Sequence, residues 1–583
     1  MSSCIEDSEE YIPSYVARAV RSLELDAQEQ FTDFRNGGMC ALPGEEQPMS
    51  GQQVSFGKRL GKMLLEEGLK CNLKELVEKI DRKPTQEQAD ALEKAAEVAA
   101  CNVRQALAAE FGSSILQRDK GNSIYCGLLS VITEQLELQD VDFPKICSQG
   151  LPLGIDVEIP HSSLYPRYKP KKQSLYEIPR VHSNYKSMLI PEVREKADCI
   201  VREEEAKGYI QRIDNSSLAS GGRTYIRRAA VPKAGSYENG VRIVEDFKRS
   251  NTNLHSSIPN TARLPSVSHL RQLVGSLTAP HSQSTSSYKI LQFDLKSAYR
   301  HLGIHPEERK NASFTHTFQD GNTVAYENMV LSFGHSAAAY WFVRYASLVL
   351  SCLELILRAM FSSTSSKPFA CYMYVDDGFL CVRIEIYTEV AIIVIVFWLL
   401  LGSALSCNKL RCNSSDGTVV GIRVDTKDHP RFEIDPSKTG KLLEDLRKVV
   451  RAGRVSEQEL SSLAGKLNRY ASLRKYLKPY LQPFYGLLAV MRKVGRVTGS
   501  CPPGSEVHIT ARFFIKILTD PHAFHSVGPI RRSIDGFSGT LLLFTDASTR
   551  ALGGVIALRD GCSDNFTKPE KSQRTIWFHK KNR

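Results

Sequence analysis

Two adjacent acidic residues, Asp376 and Asp377, interrupt an apolar stretch of the sequence, CYMYVDDGFLC. Side chains of a strand point alternately to its two faces, so both carboxylates cannot reach water if the flanking aromatic residues are buried. A buried carboxylate needs a compensating cation or takes up a proton. The residues themselves leave two interpretations open: a solvated hairpin turn of the Asp-Gly type, or a hairpin that binds a divalent metal ion.

A third acid, Asp294, ends the apolar segment KILQFD. If the two strands are antiparallel neighbours in one sheet, Asp294 and Asp376 can face each other about 5 Å apart at the backbone. Two facing carboxylates make a site for Mg²⁺. Two such ions, held roughly 3.5 to 4 Å apart, would activate an attacking hydroxyl and neutralise the pyrophosphate that leaves in a phosphoryl transfer.

The segments around these acids predict mixed strands and helices. TYIRRAAVPKAG and NGVRIVEDF predict a basic hairpin, and SYKILQFDLKSAYRHLGI predicts a strand that runs into a short helical turn. HSAAAYWFVRYASLVLSCLELILRAMF predicts a long apolar helix. Residues 390–405 carry no charge. This stretch is shorter than the roughly 20 residues of a membrane-spanning helix, so we predict a buried core helix there rather than a membrane anchor.

Length and composition limit the class of protein. A chain of 583 residues is too long for one core and predicts about three or four domains. Hydrophobic residues make up 42% and charged residues 24%, which excludes disorder throughout. The net charge of +12 favours a polyanionic partner such as nucleic acid, although a basic surface also serves solubility.

The cysteines and the N-terminus indicate an intracellular protein, cytoplasmic or nuclear. The 14 cysteines have neither the paired short spacings of a zinc site nor the density of a disulfide scaffold, so we expect reduced thiols. The N-terminal sequence MSSCIEDSEEYIPS is acidic and polar, unlike a secretory signal. We therefore expect no membrane partner.

Residues 1–147 are predicted to form a mainly helical, self-contained region without a catalytic constellation. Thr85 and Gln88 have the spacing of a capping box, and the alanine-rich helix after them is predicted to end near Gly112. Clustered prolines indicate an extended connector over residues 148–190. The segment PEVREKADCIVREEEAKGYIQRI predicts the helix that opens the next domain.

Five segments resemble retroelement reverse transcriptases and occur in the order and spacing of that family: VPKAGSYENGVRIVEDFKRSN, FDLKSAYRHLGIHPEERKNASF, LSFGHSAAAYWF, YVDD and LGSALSCNKLRC. The resemblance covers about residues 190–490. It implies an α+β right-hand polymerase fold with fingers and an antiparallel palm sheet in residues 191–430. Thumb and connection helices follow in residues 431–500, where a capping box at Ser456 and Glu459 opens a basic segment. Its cations would follow a duplex backbone, unless they only form a solvated face.

The resemblance also implies roles for the acids. Asp294 and Asp376 match the two metal-binding aspartates, with the backbone carbonyl of Leu295 beside them. Asp377 matches the third acid of the motif, nearer the primer end. Two Mg²⁺ or Mn²⁺ ions would supply the missing countercharge.

Cations that bind the nucleotide follow from the same resemblance. Lys233 and Arg242 match the residues that clasp the incoming triphosphate, a task that suits cationic donors. The alternative is a basic, solvated hairpin. Lys409 matches the lysine that protonates pyrophosphate.

Tyr299 matches the bulky aromatic residue under the nucleotide sugar, unless it is an ordinary core tyrosine. A ring there leaves no room for a 2′-hydroxyl, which favours DNA synthesis over RNA synthesis. Phe333 and Gly334 match the loop that supports the nucleotide and the template base. The family usually has proline at the positions of Ser332 and, nearby, Ala339, so a relic that binds nucleic acid without turnover is the alternative to an active enzyme.

The segment GTLLLFTDASTRALGGVIALRDG is similar to the start of a ribonuclease H-like domain, with Asp546 as its first metal ligand. The later acids of residues 535–583 lack the pattern of a complete site, so we expect a truncated α/β segment without RNA cleavage. The block SSLAGKLNRYASL before it is more similar to DIRS-like retroelements than to retroviruses.

These observations predict an RNA-directed DNA polymerase of a retrotransposon. Its partners would be deoxynucleoside triphosphates and a primer on an RNA or DNA template. The alternatives are the non-catalytic relic, an RNA-templated RNA polymerase, which Tyr299 disfavours, and a membrane-anchored protein. The sequence leaves the oligomeric state open.

Overall fold

The computed structural model describes residues 48–118, 121–168, 183–213, 222–233, 235–262, 264–275, 277, 287–361, 368–427, 430–473 and 475–519, and the backbone of three later strands. The chain divides into two units. The first contains Met1–Leu277 and Ser286–Gly528, and the second contains Thr278–Thr285 and Pro529–Arg583.

The described elements of the first unit begin with helices and continue as mixed helices and strands. Up to the first acid they are α1 (Gly51–Lys70), α2 (Leu73–Glu78), α3 (Gln86–Phe111), α4 (Cys126–Gln135), α5 (Asp142–Gln149), α6 (Pro191–Ala206), β1 (Ile210–Ile213), β2 (Arg227–Lys233), β3 (Ser236–Asp246), α7 (Thr252–His255), α8 (Val267–Gly275) and β4 (Tyr288–Asp294). The next elements are β5 (Ser313–Thr317), β6 (Thr323–Asn328), α9 (Ser336–Phe361), β7 (Phe369–Tyr374), β8 (Asp377–Arg383), α10 (Tyr387–Leu400) and β9 (Arg411–Ser414). The last are β10 (Asp416–Val419), β11 (Ile422–Asp425), β12 (Arg431–Ile434), α11 (Pro436–Ala452), β13 (Arg454–Ser456), α12 (Glu457–Ala471), α13 (Gln482–Val494), β14 (Thr498–Ser500), α14 (Glu506–Thr519) and β15 (Ser526–Val527).

The fold is mixed, with antiparallel sheets. The central sheet has the strand order β7-β8-β4-β9, and α9 and α10 pack on it. The hairpin β2-β3 precedes it in the chain. A small sheet, β1-β6-β5, takes β5 and β6 from the segment between β4 and β7, and a sheet in the order β10-β11-β12-β15 follows. The helices α11 to α14 share a second hydrophobic core with this last sheet.

Local sequence patterns predicted several of these elements. The basic hairpin is β2-β3, and the apolar helix is α9. Thr85 and Gln88 form the predicted capping box of α3, which ends at its C-cap residue Gly112. Ser456 and Glu459 form the predicted box of α12. A capping box satisfies two backbone amides at a helix start through side chains only three residues apart, so its sequence signature is local.

Helix α10 is buried on all sides, which confirms a core helix rather than a membrane anchor there, but the helix ends at Leu400 and residues 401–405 form a loop. The central sheet covers one side, and the N-terminal helices α1, α2 and α3 cover the others. One continuous hydrophobic core therefore joins the N-terminal helices to the sheet. This shared core corrects the expectation of a self-contained N-terminal region and explains why α10 has no polar face.

Helix α9 is, among the described residues, the one helix long and apolar enough to cross a membrane. Its most apolar window is 83% buried inside the protein. The core helix of a folded domain meets the same criteria of length and composition.

Glycines let α1 approach its neighbours closely. A Cβ atom at Gly61 would lie 2.5 Å from the Met360 Cγ atom of α9, and one at Gly68 would overlap the Cγ2 atom of Ile392 on α10. Small residues at such contacts permit a short distance between helix axes.

Replacing Gly68 with alanine is therefore expected to destabilise the protein by about 1 to 3 kcal/mol, because the branched Ile392 side chain cannot move aside freely. Urea unfolding followed by circular dichroism measures this. Gly465 lies exposed within α12 with no atom near its missing Cβ, so Gly465→Ala is the matched control. It should stabilise the helix by up to about 1 kcal/mol. Equal effects of the two substitutions would contradict the predicted close packing.

The connector after α5 begins against the central part of the first unit. Leu151 forms a bridge with Ile304, and the Trp341 indole donates to the Pro152 carbonyl at 2.8 Å. The buried Glu308 carboxylate accepts hydrogen bonds from three consecutive amides, those of residues 155–157. Residues 169–182 of the connector lie outside the described part.

The second unit contains an antiparallel hairpin of β16 (Gly539–Ala547) and β17 (Leu552–Asp560). The two strands agree with the sequence prediction. Asp546 pairs in register with Gly553 near the end of β16. Of the later acids, which lack the pattern of a complete site, Asp560 ends β17, and Asp564 and Glu570 lie outside the described residues.

Candidate active site

The acids meet at one end of the central sheet. Asp294, the last residue of β4, lies directly opposite Asp377, the first residue of β8. Asp376 lies in the turn between β7 and β8, and its carbonyl oxygen accepts a hydrogen bond from the amide of the buried Leu295 at 3.2 Å. The structure thus brings the three predicted acids together.

The register differs by one residue from the expected one. We expected Asp376 to face Asp294, but Asp377 does so. The turn consists of Val375 and Asp376, with Val375 at a φ of +59°. The sequence pattern misplaced this turn because valine is rare in a left-handed conformation, whereas Asp-Gly is common in turns.

Gly378 lies in strand β8 and not in the turn. A Cβ atom there would overlap the ring of Phe293 on the neighbouring strand. The close approach of this ring requires glycine at this position, which corrects the interpretation of Asp-Gly as a turn centre.

The pKa values of Asp376 and Asp377 are raised in the folded protein. Loss of hydration, and then the charges of Asp376 and Asp294, raise the pKa of Asp377 to about 6. Loss of hydration also raises the pKa of Asp376, and the charge of Asp294 adds to this effect. A backbone hydrogen bond and the charges of Lys409 and Arg242 act in the opposite direction on Asp376. Negative charge is thus in excess here, a condition that favours a bound divalent cation.

The donor set fits Mg²⁺ or Mn²⁺, because carboxylate oxygens are the ligands that these hard ions prefer. Over the described ranges, no group of three or more His, Cys, Asp or Glu side chains is already spaced as a metal site. Mg²⁺ usually keeps several waters and takes one or two carboxylates. Asp294 and Asp376 are therefore sufficient in number.

Asp377→Asn is expected to stabilise the metal-free protein at pH 7. When the pKa of a carboxyl group is higher in the folded state, the free energy of unfolding falls as the pH rises from about 4 to 6, because the folded state binds more protons than the unfolded state. The gain should be about 1 kcal/mol, after discounting for solvent screening of an exposed side chain. It should mostly disappear near pH 4. Urea unfolding in a chelator at both pH values measures it, and lower stability of the variant at pH 7 would contradict it.

Lys409 and Ser406 contact the first acid directly. The Oδ2 atom of Asp294 accepts hydrogen bonds from the Lys409 Nζ atom at 2.7 Å and from the Ser406 Oγ atom at 2.8 Å. Lys409 is exposed and lies in the short 3-10 helix Cys407–Lys409. Sequence reasoning missed Ser406, because its contact arises only when the loop after α10 returns to β4.

The predicted triphosphate-binding cations lie on the β2-β3 hairpin. Arg242 is exposed and lies opposite Val231 in the β2-β3 pair. Its positive charge acts to lower the pKa of Asp376. Lys233 ends β2, exposed, with its side chain over Gly240 of β3. The hairpin therefore directs Arg242 toward the acids, whereas Lys233 lies at its tip.

Tyr299 lies beside the acids and contacts Phe333. The two rings meet edge to face at 4.4 Å between centroids. Burial and then the charge of Asp376 raise the pKa of Tyr299. Gly334 has a φ of +101°, and a Cβ atom there would lie 2.7 Å from the Glu245 carbonyl oxygen, so only glycine allows this approach of β3.

Ser332 has a partner that proline could not replace. Its Oγ atom accepts a hydrogen bond at 3.1 Å from Arg300, which also donates to Asn328 at 2.7 Å. The loop of Phe333 is thus held by a side-chain network where the family usually has a rigid ring. Ala339 lies exposed in the first turns of α9.

A buried network of charges joins the hairpin to the segment after β4, and sequence reasoning missed it. Arg228 of β2 is 0% exposed and pairs with Glu204 at 3.0 Å and with Glu245 at 3.6 Å. Arg300 also pairs with Glu204 at 3.1 Å. The signal in the sequence was weak, because charged residues in a basic hairpin are usually solvated.

Some positive charges of the basic segment after the central sheet form ion pairs with carboxylates of the protein itself. Lys448 of α11 pairs with Glu459 at 2.5 Å, and Lys466 of α12 pairs with Asp445 at 2.9 Å. These exposed pairs link α11 and α12, and each contributes little to stability.

Comparisons with known proteins found no matching family model and no matching curated protein. Solved reverse transcriptases are among the structural neighbours. A foamy viral protease-reverse transcriptase dRH in complex with double-stranded DNA has a TM-score of 0.44 at 14% identity, over 67% of this chain and 57% of that chain. The same viral protein with double-stranded DNA has a TM-score of 0.42 at 14% identity, over 67% of this chain and 68% of that chain.

A third structure, foamy viral protease-reverse transcriptase with an RNA/DNA hybrid, has a TM-score of 0.41 at 12% identity, over 88% of this chain and 51% of that chain. This chain thus spans about half to two thirds of the length of these proteins. Structural similarity with such low TM-scores and sequence identities does not establish the function, which depends on the residues of the site itself.

Proposed function

We propose that this protein is an RNA-directed DNA polymerase of a retrotransposon. It would join a primer 3′-hydroxyl to the α-phosphate of a deoxynucleotide and release pyrophosphate. The observation that carries the proposal is the meeting of Asp294, Asp376 and Asp377 at one end of the central sheet. The charge of Arg242 acts to lower the pKa of Asp376 there, and the charge of Asp376 acts to raise that of Tyr299.

Two Mg²⁺ or Mn²⁺ ions would bind at Asp294 and Asp376, with the Leu295 carbonyl as a further oxygen donor. Bound there, such ions lower the pKa of the attacking hydroxyl and neutralise charge on the leaving group. The raised pKa values of Asp376 and Asp377 support this, because burial and the neighbouring carboxylates disfavour their charged forms and a bound cation would favour them. Asp377, the third acid, would lie nearer the primer end.

The chain's own groups would bind the nucleotide. Arg242 and Lys233 would contact the triphosphate from the hairpin, and Arg242 already lies close enough to influence Asp376. Lys409 would transfer from Asp294 to the pyrophosphate when a metal ion takes its place. A cation that leaves one anion for another keeps its charge compensated throughout.

Tyr299 and Phe333 would form the floor under the sugar and the base. Their edge-to-face contact fixes the Tyr299 ring, so that it would exclude a 2′-hydroxyl. In this proposal the central sheet is the palm, the β2-β3 hairpin belongs to the fingers, and α11 to α13 form the thumb and connection. The β16-β17 hairpin with Asp546 would be the start of an incomplete ribonuclease H-like domain, without RNA cleavage.

Primer extension tests the proposal. Purified protein with Mg²⁺ or Mn²⁺ is expected to extend a DNA primer on an RNA template with deoxynucleotides, and much less with ribonucleotides. Preference for ribonucleotides would instead indicate an RNA polymerase and would contradict the role of Tyr299.

One observation favours a second candidate, a relic that binds nucleic acid without turnover. Ser332 and Ala339 stand where reverse transcriptases usually have proline, and a hydrogen bond from Arg300 holds Ser332 instead. In that case the protein would bind primer-template in a gel-shift assay, but incorporation would not exceed that of a variant without Asp376.

A further inference from the structure

The loop between α10 and β9, residues 401–410, connects the active site to the N-terminal helices; we call it the return loop. It leaves the end of α10, passes the end of β4 and then enters β9. Neither its sequence nor the family resemblance connects it to residues 48–150. Its contacts at both ends are specific hydrogen bonds.

At the active site, the return loop holds Asp294 by its backbone and its side chain. The Ser406 amide donates to the Asp294 carbonyl oxygen at 2.8 Å, and the Lys296 amide donates to the Ala404 carbonyl oxygen at 2.8 Å. The Ser406 and Lys409 side chains both donate to Asp294 Oδ2. These bonds determine which way the carboxylate points.

At its other end, the N-terminal helices hold the start of the loop. Arg104, from α3, is 5% exposed, and its guanidinium group donates to the Leu399 carbonyl oxygen at 2.7 Å. It also lies over the Tyr125 ring, at 4.9 Å from the centroid. The Tyr125 amide donates to the Leu401 carbonyl oxygen at 3.1 Å.

Arg104 adds a donor at the C-terminal end of α10. The Gly402 amide already donates to the Leu399 carbonyl oxygen at 2.9 Å, and Arg104 donates to the same oxygen from the N-terminal helices. The partial negative charge at a helix C-terminus favours a cation there. The next residue of the loop is also fixed from the N-terminal side: Gly402 has a φ of +87°, and a Cβ atom there would overlap the Ser123 carbonyl oxygen.

We infer that Arg104 is a positioning residue of the active site, which holds the return loop so that Ser406 fixes the Asp294 carboxylate. The inference rests on the proposed polymerase function and gives the N-terminal helices a part in it. A catalytic carboxylate must keep its position within about 0.5 Å, and loss of a loop anchor permits larger displacements.

Steady-state primer extension of Arg104→Ala tests the inference. The turnover number kcat is expected to fall about tenfold, while the KM for deoxynucleotides and the Kd for primer-template stay within about twofold, since Arg104 contacts neither. Arg59→Ala is the matched control, because Arg59 pairs with Glu110 on the exposed side of the same helical region. This control should retain wild-type kcat.

A double-mutant cycle separates positioning from a general loss of stability. If Arg104 acts through the return loop, Arg104→Ala should lower kcat less than about twofold once Ser406→Ala is present. An equal loss in both backgrounds would overturn the inference. Arg104→Lys, which keeps the charge and one donor for the Leu399 carbonyl, should recover part of kcat and serves as the measured variant if Arg104→Ala does not fold.

The outcome also distinguishes this inference from the proposed function. Wild-type incorporation no higher than that of Asp376→Asn would refute the polymerase, and the inference with it. Wild-type activity together with unchanged kcat in Arg104→Ala and Arg104→Lys would refute the inference alone.

Discussion

Asp376→Asn is expected to lower deoxynucleotide incorporation to background, at least about a thousandfold. Asparagine keeps the size of the side chain but removes the negative charge, and the metal ion proposed for this site would supply several kcal/mol of transition-state stabilisation. Because Asp376 lies in a turn and its own charge is disfavoured in the folded state, the substitution should leave the fold intact. Single-turnover primer extension with Mg²⁺ measures the loss.

The control for this prediction is Asp320→Asn, at an exposed turn between β5 and β6. It should retain full activity, because the asparagine oxygen still accepts the hydrogen bond from Asn322. Both variants should bind primer-template with a Kd within about twofold of the wild-type value, since the phosphate backbone dominates that affinity. Equal, background incorporation by wild type and Asp376→Asn, with binding retained, would support the relic.

Removal of residues 1–150 is expected to make the remaining chain insoluble. The N-terminal helices cover α9 and α10, and each aliphatic side chain that they bury contributes about 1.5 to 3 kcal/mol. A few such side chains equal the whole stability of a typical domain, about 5 to 15 kcal/mol. An exposed apolar surface of this size also leads to aggregation.

The truncation would also leave a buried charge without its partner. Arg344 of α9 is 2% exposed and pairs with Asp140, through Nη2 at 2.6 Å and through Nε at 2.8 Å. Breaking a buried pair from one side costs about 3 to 5 kcal/mol. Loss of Asp140 alone would therefore remove a large part of the stability.

Co-expression provides the control for the truncation. Residues 48–150 supplied as a separate chain should restore part of the soluble fraction of residues 151–583, because the missing surface is then covered again. The soluble fraction and the cooperativity of thermal unfolding are the measurements. A truncated chain that is soluble and unfolds cooperatively by itself would contradict the shared core.

The local elements near the acids were predictable from sequence. Strand β4 before Asp294, the hairpin of Arg242 and the apolar helix α9 each follow from the period of apolar residues and from turn signals a few positions away. The resemblance to reverse transcriptases added roles for these residues, and the structure places Tyr299 and Lys409 beside the same acids.

The register of the acids was not predictable in this way. Asp377, and not Asp376, faces Asp294, since Val375 takes the left-handed turn position and Gly378 lies under Phe293. The Phe293 ring belongs to a strand more than eighty residues earlier in the chain. No pattern within the hairpin itself records that contact.

The sequence was enough to predict mixed helices and strands, a basic hairpin, and acids at the ends of two apolar strands. These features are local, because the hydrogen bonds and the side-chain period of one element depend on residues that are neighbours in the chain. Tertiary structure alone decided that α10 is enclosed by the N-terminal helices, and that Arg104 and Ser406 are connected to Asp294 through one loop. An apolar face indicates that a helix is covered, but the partner that covers it depends on the shape of surfaces far apart in the chain.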